Sequence, residues 1–169
     1  MYADSIFNTK SCIYNLILYI YLMNPEQRPE PANSTDSYCI AGRLRMLARV
    51  ITGHYNEAFA AQGVTFAQAG LLMHMFAQPG IRQADLSKRL QIEKSAMSRD
   101  VQLLQKKGWL TDNLRNGLFL TEDGRLLAKR CHKIWKALNE QVHNDLGADA
   151  VDGLSVFSNH VLLKFLPNQ

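Results

Sequence analysis

Cysteine is scarce in this 169-residue chain, and Cys12, Cys39 and Cys131 are an odd set with no paired spacing. That speaks against a disulfide framework or a cysteine-based zinc motif and fits a reducing compartment, so a cytoplasmic location is expected. The five histidines, at 54, 74, 132, 143 and 160, form no H-x-x-x-H or H-E-x-x-H pattern, so no metal site is expected. Nucleophile–base pairing and a phosphate-cradling glycine loop are also missing, which leaves no basis for an enzyme or a bound cofactor. Long apolar runs are absent as well. "IYNLILYIYLM" at 13–23 is only eleven residues, too short to span a bilayer as a helix. Only Lys10 precedes it and no small-x-small cleavage site follows, so export and a membrane partner are not expected. The run reads either as an extra packing helix or as residues upstream of a native start at Met23.

Proline is concentrated rather than spread. Three of the five lie in "NPEQRPEPANSTDS" at 24–37, a linker composition. Residues 1–37 are therefore an apolar segment plus linker, and 38–169 form one domain. With 47% hydrophobic residues, that domain has enough apolar side chains for a core. The net charge of +4 is unevenly placed: residues 81–130 hold 11 Lys and Arg against 6 Asp and Glu, and the remainder holds 8 against 9. Confining the excess to one segment is the pattern of a polyanion-binding surface, or of a solvated basic face.

From Tyr38 the apolar residues recur at helical steps. Ile40, Leu44, Leu47, Val50 or Ile51, and Tyr55 mark a long amphipathic helix that Gly63 closes. "TFAQAGLLMHMFAQPG" gives a second, mostly apolar helix, with Thr65 as cap and Pro79-Gly80 as stop. "IRQADLSKRLQ" is a short third helix with Ala84, Leu86 and Leu90 turned inward. Strand-like Trp109-Leu110 and Leu118-Phe119-Leu120 flank Asn116-Gly117, a hairpin signal because a type I′ turn needs two positive φ angles. Thr121 caps a long helix with Glu122 and Asp123 in its first turn, and "ADAVDGLSVFSNHVLLKFL" is the last helix. This order is mainly α: a winged helix-turn-helix with N- and C-terminal helices forming a dimerisation region.

"EKSAMSRDVQLLQKKGWL" at 93–110 is the informative stretch. On a helical wheel Met97, Val101 and Leu104 share one side, while Ser95, Ser98, Arg99, Gln102 and Lys106 share the other. As the second helix of the motif, it would enter the DNA major groove. Short Ser95 and Ser98 let the backbone approach, Arg99 can fork onto guanine O6 and N7, and Gln102 can pair with an adenine edge. Lys88, Arg89, Lys94 and Lys106 suit phosphate contacts, and Arg115 suits a wing tip. Local alternatives exist: Arg99 could pair with Glu93 or Asp100, and Lys106 and Lys107 suit a helix C-terminus in any case.

"ADLSKRLQIEKSAMSRDVQLLQKKGWL" (84–110) and "LTEDGRLLAKRCHKIW" (120–135) resemble the MarR (multiple antibiotic resistance regulator) family of bacterial winged-helix transcription regulators, as does "LRMLARVITGHYNEAF" (44–59). The resemblance spans Tyr38 to Phe165. It implies a homodimer built from residues 38–62 and 121–169, with a DNA-binding lobe at 65–120. It also implies double-stranded DNA with a pseudo-palindromic operator as partner, repression as the usual outcome, and release by a small aromatic ligand or an oxidant. Two departures stand out. Only "TDNLRNG" (111–117) separates Leu110 from Leu118, so the wing is short and lacks the family's Asp-x-Arg element, and Arg82 stands where a Ser or Thr cap is usual.

Cys39 lies near a helix start four residues before Arg43, surroundings that favour a reactive thiol, although a free cysteine is more commonly a small buried hydrophobe. Arg49, His54, Tyr55, Phe66 and His74 are ligand-pocket candidates by position, and His74 within "LLMHMF" also suits a core role. The competing function is a protein-interaction module on the same scaffold, with DNA reading lost. The basic, polar fourth-helix face argues against it.

Overall fold

The computed structural model describes residues 39–111 and 117–166. Backbone contacts divide the chain into two units, 1–44 and 45–169. Of the first unit only 39–44 are described. There Cys39 is exposed, and its carbonyl accepts from the Arg43 N–H at 3.1 Å as the first helix opens.

Helix α1 (Ile40–Phe59) buries only Tyr55 and Phe59, both near its end. It tightens into a 3₁₀ turn, Ala60–Gln62, and stops at Gly63, whose φ of 67° is the left-handed cap that glycine adopts without a steric cost. Helix α2 (Phe66–Ala77) starts with a reciprocal capping box. The Thr65 hydroxyl accepts from the Gln68 N–H, and the Gln68 side chain accepts from the Thr65 N–H. Helix α2 buries Ala69, Leu71, Leu72 and Met75 and lies along α5 (Glu122–Leu146). Helix α5 is capped by Thr121, whose hydroxyl accepts from Gly124 N–H. It contributes Leu127, Ala128 and Cys131 to the same core. The caps and stops anticipated at Gly63, Thr65 and Thr121 are all formed.

Helices α3 (Gln83–Leu90) and α4 (Lys94–Lys106) form the two-helix motif. The turn between them is held twice. Ser87 Oγ donates to the Ile92 carbonyl at 2.6 Å, and Ile92 N–H donates back to the Ser87 carbonyl at 3.0 Å. Gln91 takes the left-handed conformation (φ 53°) where glycine would be cheaper, and its side chain donates to the Lys88 carbonyl at 2.8 Å. Here one expectation is corrected. Ala84 is exposed, and its inward place is taken by buried Ser87, one step round the helix, because the motif's turn needs that hydroxyl. Arg82 supplies no side-chain cap to α3; it pairs with Asp85 at 2.8 Å instead.

The wing base is minimal among the described residues: isolated antiparallel bridges join Leu110 to Leu120 and Ile81 to Leu118. Trp109-Leu110 and Leu118–Leu120, read from the sequence as strand-like, form isolated bridges and no strand among the described residues. Ile81 joins them without any signal in the sequence, because one residue carries no periodicity. Asn116 and Arg115 lie outside the described residues, so the turn and the wing-tip arginine do too; Gly117 has a φ of 110°. Finally α6 (Ala148–Phe165) buries no residue at all.

Candidate nucleic-acid interface

Helix α4 is the element with chemistry on its surface. Met97, Val101 and Leu104 are fully buried in the core, and this fixes the rotation of the helix. With that side turned in, Lys94, Ser95, Arg99, Gln102 and Lys106 are exposed and Ser98 is half-buried. The hydroxyls, guanidinium and amide thus emerge on one face, as the wheel predicts. Lys88 and Arg89, at the end of α3, are exposed as well.

These groups are unengaged within the described residues. Arg82–Asp85 and Arg125–Glu122 are the ion pairs there, so Arg99 pairs with neither Glu93 nor Asp100. No described carboxylate neutralises Lys88, Arg89, Lys94 or Lys106. A cluster of solvated cations without intramolecular partners raises the local concentration of a polyanion without first breaking internal bonds. Lys107 is different. Its Nζ donates to the Gly63 carbonyl at 3.0 Å and sits 4.7 Å from the centre of the Trp109 ring.

Residues 62–113 match the MarR family model. This segment runs from the 3₁₀ turn through the helix-turn-helix to the wing base. The segment is of the MarR family. Over these residues the MarR resemblance read from the sequence holds, and solved structures agree on the fold beyond them. The transcriptional repressor CouR bound to p-coumaroyl-CoA superimposes with a TM-score of 0.67 at 21% identity, covering 75% of this chain and 93% of CouR. MepR of S. aureus, solved as a DNA complex, gives 0.64 at 17% identity over 75% and 97%. The reduced form of MarR from E. coli gives 0.58 at 23% identity over 78% and 96%. A search of curated proteins by sequence found no match.

The ligand candidates divide. His54, Tyr55 and Phe66 come together: the Tyr55 ring centre is 4.6 Å from Phe66 and 6.4 Å from His54. Tyr55 is buried and donates its hydroxyl to Asn139 Oδ1 at 3.2 Å, and burial raises its phenol pKa. Arg49 is exposed and His74 half-buried, and neither joins this aromatic group. A cavity of about 130 Å³ lies elsewhere, between Met75, Phe76, Pro79, Phe119, Leu120 and Arg125. Of the two described cysteines, Cys39 is exposed and Cys131 buried. Among the described residues there is no group of three metal-ligating side chains, and no helix is long and apolar enough to cross a membrane.

Proposed function

We propose that this protein is a double-stranded-DNA-binding transcription regulator. It acts as a homodimer on a pseudo-palindromic operator, as a repressor. The observation that carries the reading is the exposed face of α4, unpaired among the described residues. A helix rotated by three buried apolar residues presents serine, arginine, glutamine and lysine in one register, next to the cations of α3. Arg99 and Gln102 read base edges, Ser95 and Ser98 allow close approach, and Lys88, Arg89, Lys94 and Lys106 hold phosphates. Arg115, outside the described residues, is assigned to the same interface by the sequence alone.

Release by a small ligand or by oxidation is the regulatory half of the reading. It draws support from the similarity to CouR, a repressor solved with p-coumaroyl-CoA, and from the exposure of Cys39. The aromatic group of His54, Tyr55 and Phe66 is the site where a ring-bearing effector would act.

Selection of binding sites from a random duplex library tests the central claim. Affinity for the winning site is then measured for wild type and Arg99→Ala across a salt series. An inverted repeat, a steep salt slope, and a loss of about 1–3 kcal/mol in the variant are expected. Weak binding that selects no sequence and is indifferent to Arg99 would sink it.

A further inference from the structure

Two adjacent lysines at the end of α4 are treated differently by the fold. Lys106 is exposed and has no partner among the described residues. Lys107 Nζ reaches 44 positions back along the chain to the Gly63 carbonyl, at 3.0 Å. Gly63 is where the chain leaves α1 and its 3₁₀ turn, so its carbonyl belongs to the negative end of that helical run. A second cation reaches the same turn from α5: Arg130 Nε donates to Gln62 Oε1 at 3.1 Å.

The corner that bears Lys107 is itself anchored. Gly108 accepts from the Thr121 hydroxyl at 2.7 Å, and Trp109 accepts from the Thr121 N–H at 3.0 Å. Trp109 N–H donates to the Leu104 carbonyl at 3.0 Å, and the Lys107 ammonium lies over the Trp109 indole at 4.7 Å. The end of α1 and the end of α4 therefore meet at one ammonium group, at a corner whose backbone Thr121 ties to the start of α5.

We infer that Lys107 is a positioning residue that fixes the DNA-reading helix against the Gln62–Gly63 turn, rather than a phosphate contact. This rests on the proposed reading of α4. An ammonium has three donors, and one already lies on a helix-end carbonyl while the charge faces an aromatic ring. Moving it to a phosphate would leave that carbonyl and ring without their cation. Held in place, it ties the rotation of α4 to the end of α1, so that Arg99 and Gln102 meet the groove in one orientation.

The two lysines then differ in a way that salt dependence separates. Full-length Lys106→Met, Lys107→Met and Gln62→Ala are compared with wild type. The probes are the selected operator duplex and a random-sequence duplex of equal length. Lys106→Met is expected to weaken both probes alike and to reduce the salt slope by about one. Lys107→Met is expected to lose about two- to tenfold on the operator, the range of one hydrogen bond. Its salt slope and its affinity for the random duplex stay unchanged. Gln62→Ala, which alters no charge, is expected to follow Lys107→Met in direction. Trp109 emission, read in a Trp135→Phe background, is expected to shift in Lys107→Met before any DNA is added.

A slope reduced by one in Lys107→Met would make it a phosphate contact and overturn the inference. So would unchanged operator affinity, or an unshifted Trp109 emission. If wild type selects no sequence, the reading of α4 fails and the inference falls with it. The emission shift would then still show whether the ammonium sits on the ring, so the two failures are told apart.

Discussion

Cys131 is a fully buried thiol whose surroundings disfavour charge. Desolvation raises its pKa, and the neighbouring Arg130 charge and a backbone hydrogen bond offset this only in part. The unfolded thiol ionises at about 8.5. Above that pH the unfolded chain has released its proton while the folded chain keeps it, so folding stability falls as pH rises. Below it both states are protonated and the group contributes no slope. Tyr55 acts in the same direction, its phenol pKa lying above the ordinary 10.0 because of burial. Thermal melts are therefore expected to be insensitive to pH between about 7 and 8 from these two groups, with the midpoint dropping above that. Cys131→Ala should flatten the first part of the drop; an unchanged alkaline slope in that variant would remove the thiol as its source. Alkylation of the native protein is expected to modify Cys39, which is exposed, and to spare Cys131 until the chain unfolds. Mass spectrometry of the labelled peptides checks this directly. The sequence singled out Cys39 by its helix start and Arg43 but gave no measure of how exposed either thiol is, since exposure is a property of packing.

At the scale of elements, the helices were legible because periodicity and punctuation agreed. Thr65, Thr121 and Gly63 cap or stop where expected, and Met97, Val101 and Leu104 face the core. The corner between α4, the wing base and α5 was much less legible, because it depends on backbone approaching backbone. Gly124 shows the difference. By propensity, alanine in its place should stabilise α5 by about 1 kcal/mol. In the fold, a Cβ at Gly124 would collide with the Trp109 carbonyl oxygen, which is backbone and cannot rotate aside. Gly124→Ala is therefore expected to destabilise by roughly 1–3 kcal/mol in urea unfolding, opposite in sign to the propensity. Gly108 is the control: its φ is 73°, but a methyl group there would meet nothing within 4 Å. Gly108→Ala should cost only the left-handed backbone term, about 1–2 kcal/mol. Gly117 combines both burdens, a φ of 110° and a clash with the Gly80 carbonyl oxygen, so Gly117→Ala should be the most damaging of the three. Equal costs for the three would mean that close approach does not matter at this corner.

For the molecule as a whole, the surface proposed to read DNA and the surface that remains apolar lie on different elements. Helix α6 buries none of its eighteen residues, yet Leu163 and Phe165 are 84% and 76% exposed and Leu154, Val156, Phe157 and Leu162 are exposed beside them in sequence. On α1, Met46, Leu47, Val50 and Ile51 are exposed as well. An eighteen-residue helix with no buried side chain has little reason to persist in water alone, since helical stability in proteins comes mainly from packing an apolar face. On the proposed function a second copy would supply that packing, and the same pairing would give the two reading helices that an inverted repeat requires. Light scattering is therefore expected to return twice the chain mass of 19.1 kDa. Leu163→Glu, which places a carboxylate on this apolar surface, should shift the protein toward monomer and lower α6 helicity. It should also weaken operator binding, while leaving non-specific DNA affinity per chain nearly intact. Phosphate contacts belong to one lobe and survive dissociation, whereas selection of a two-fold site needs both lobes held at one spacing. A Leu163→Glu protein that stayed dimeric would move the interface elsewhere, and one that became monomeric but kept full operator affinity would show that a single lobe suffices.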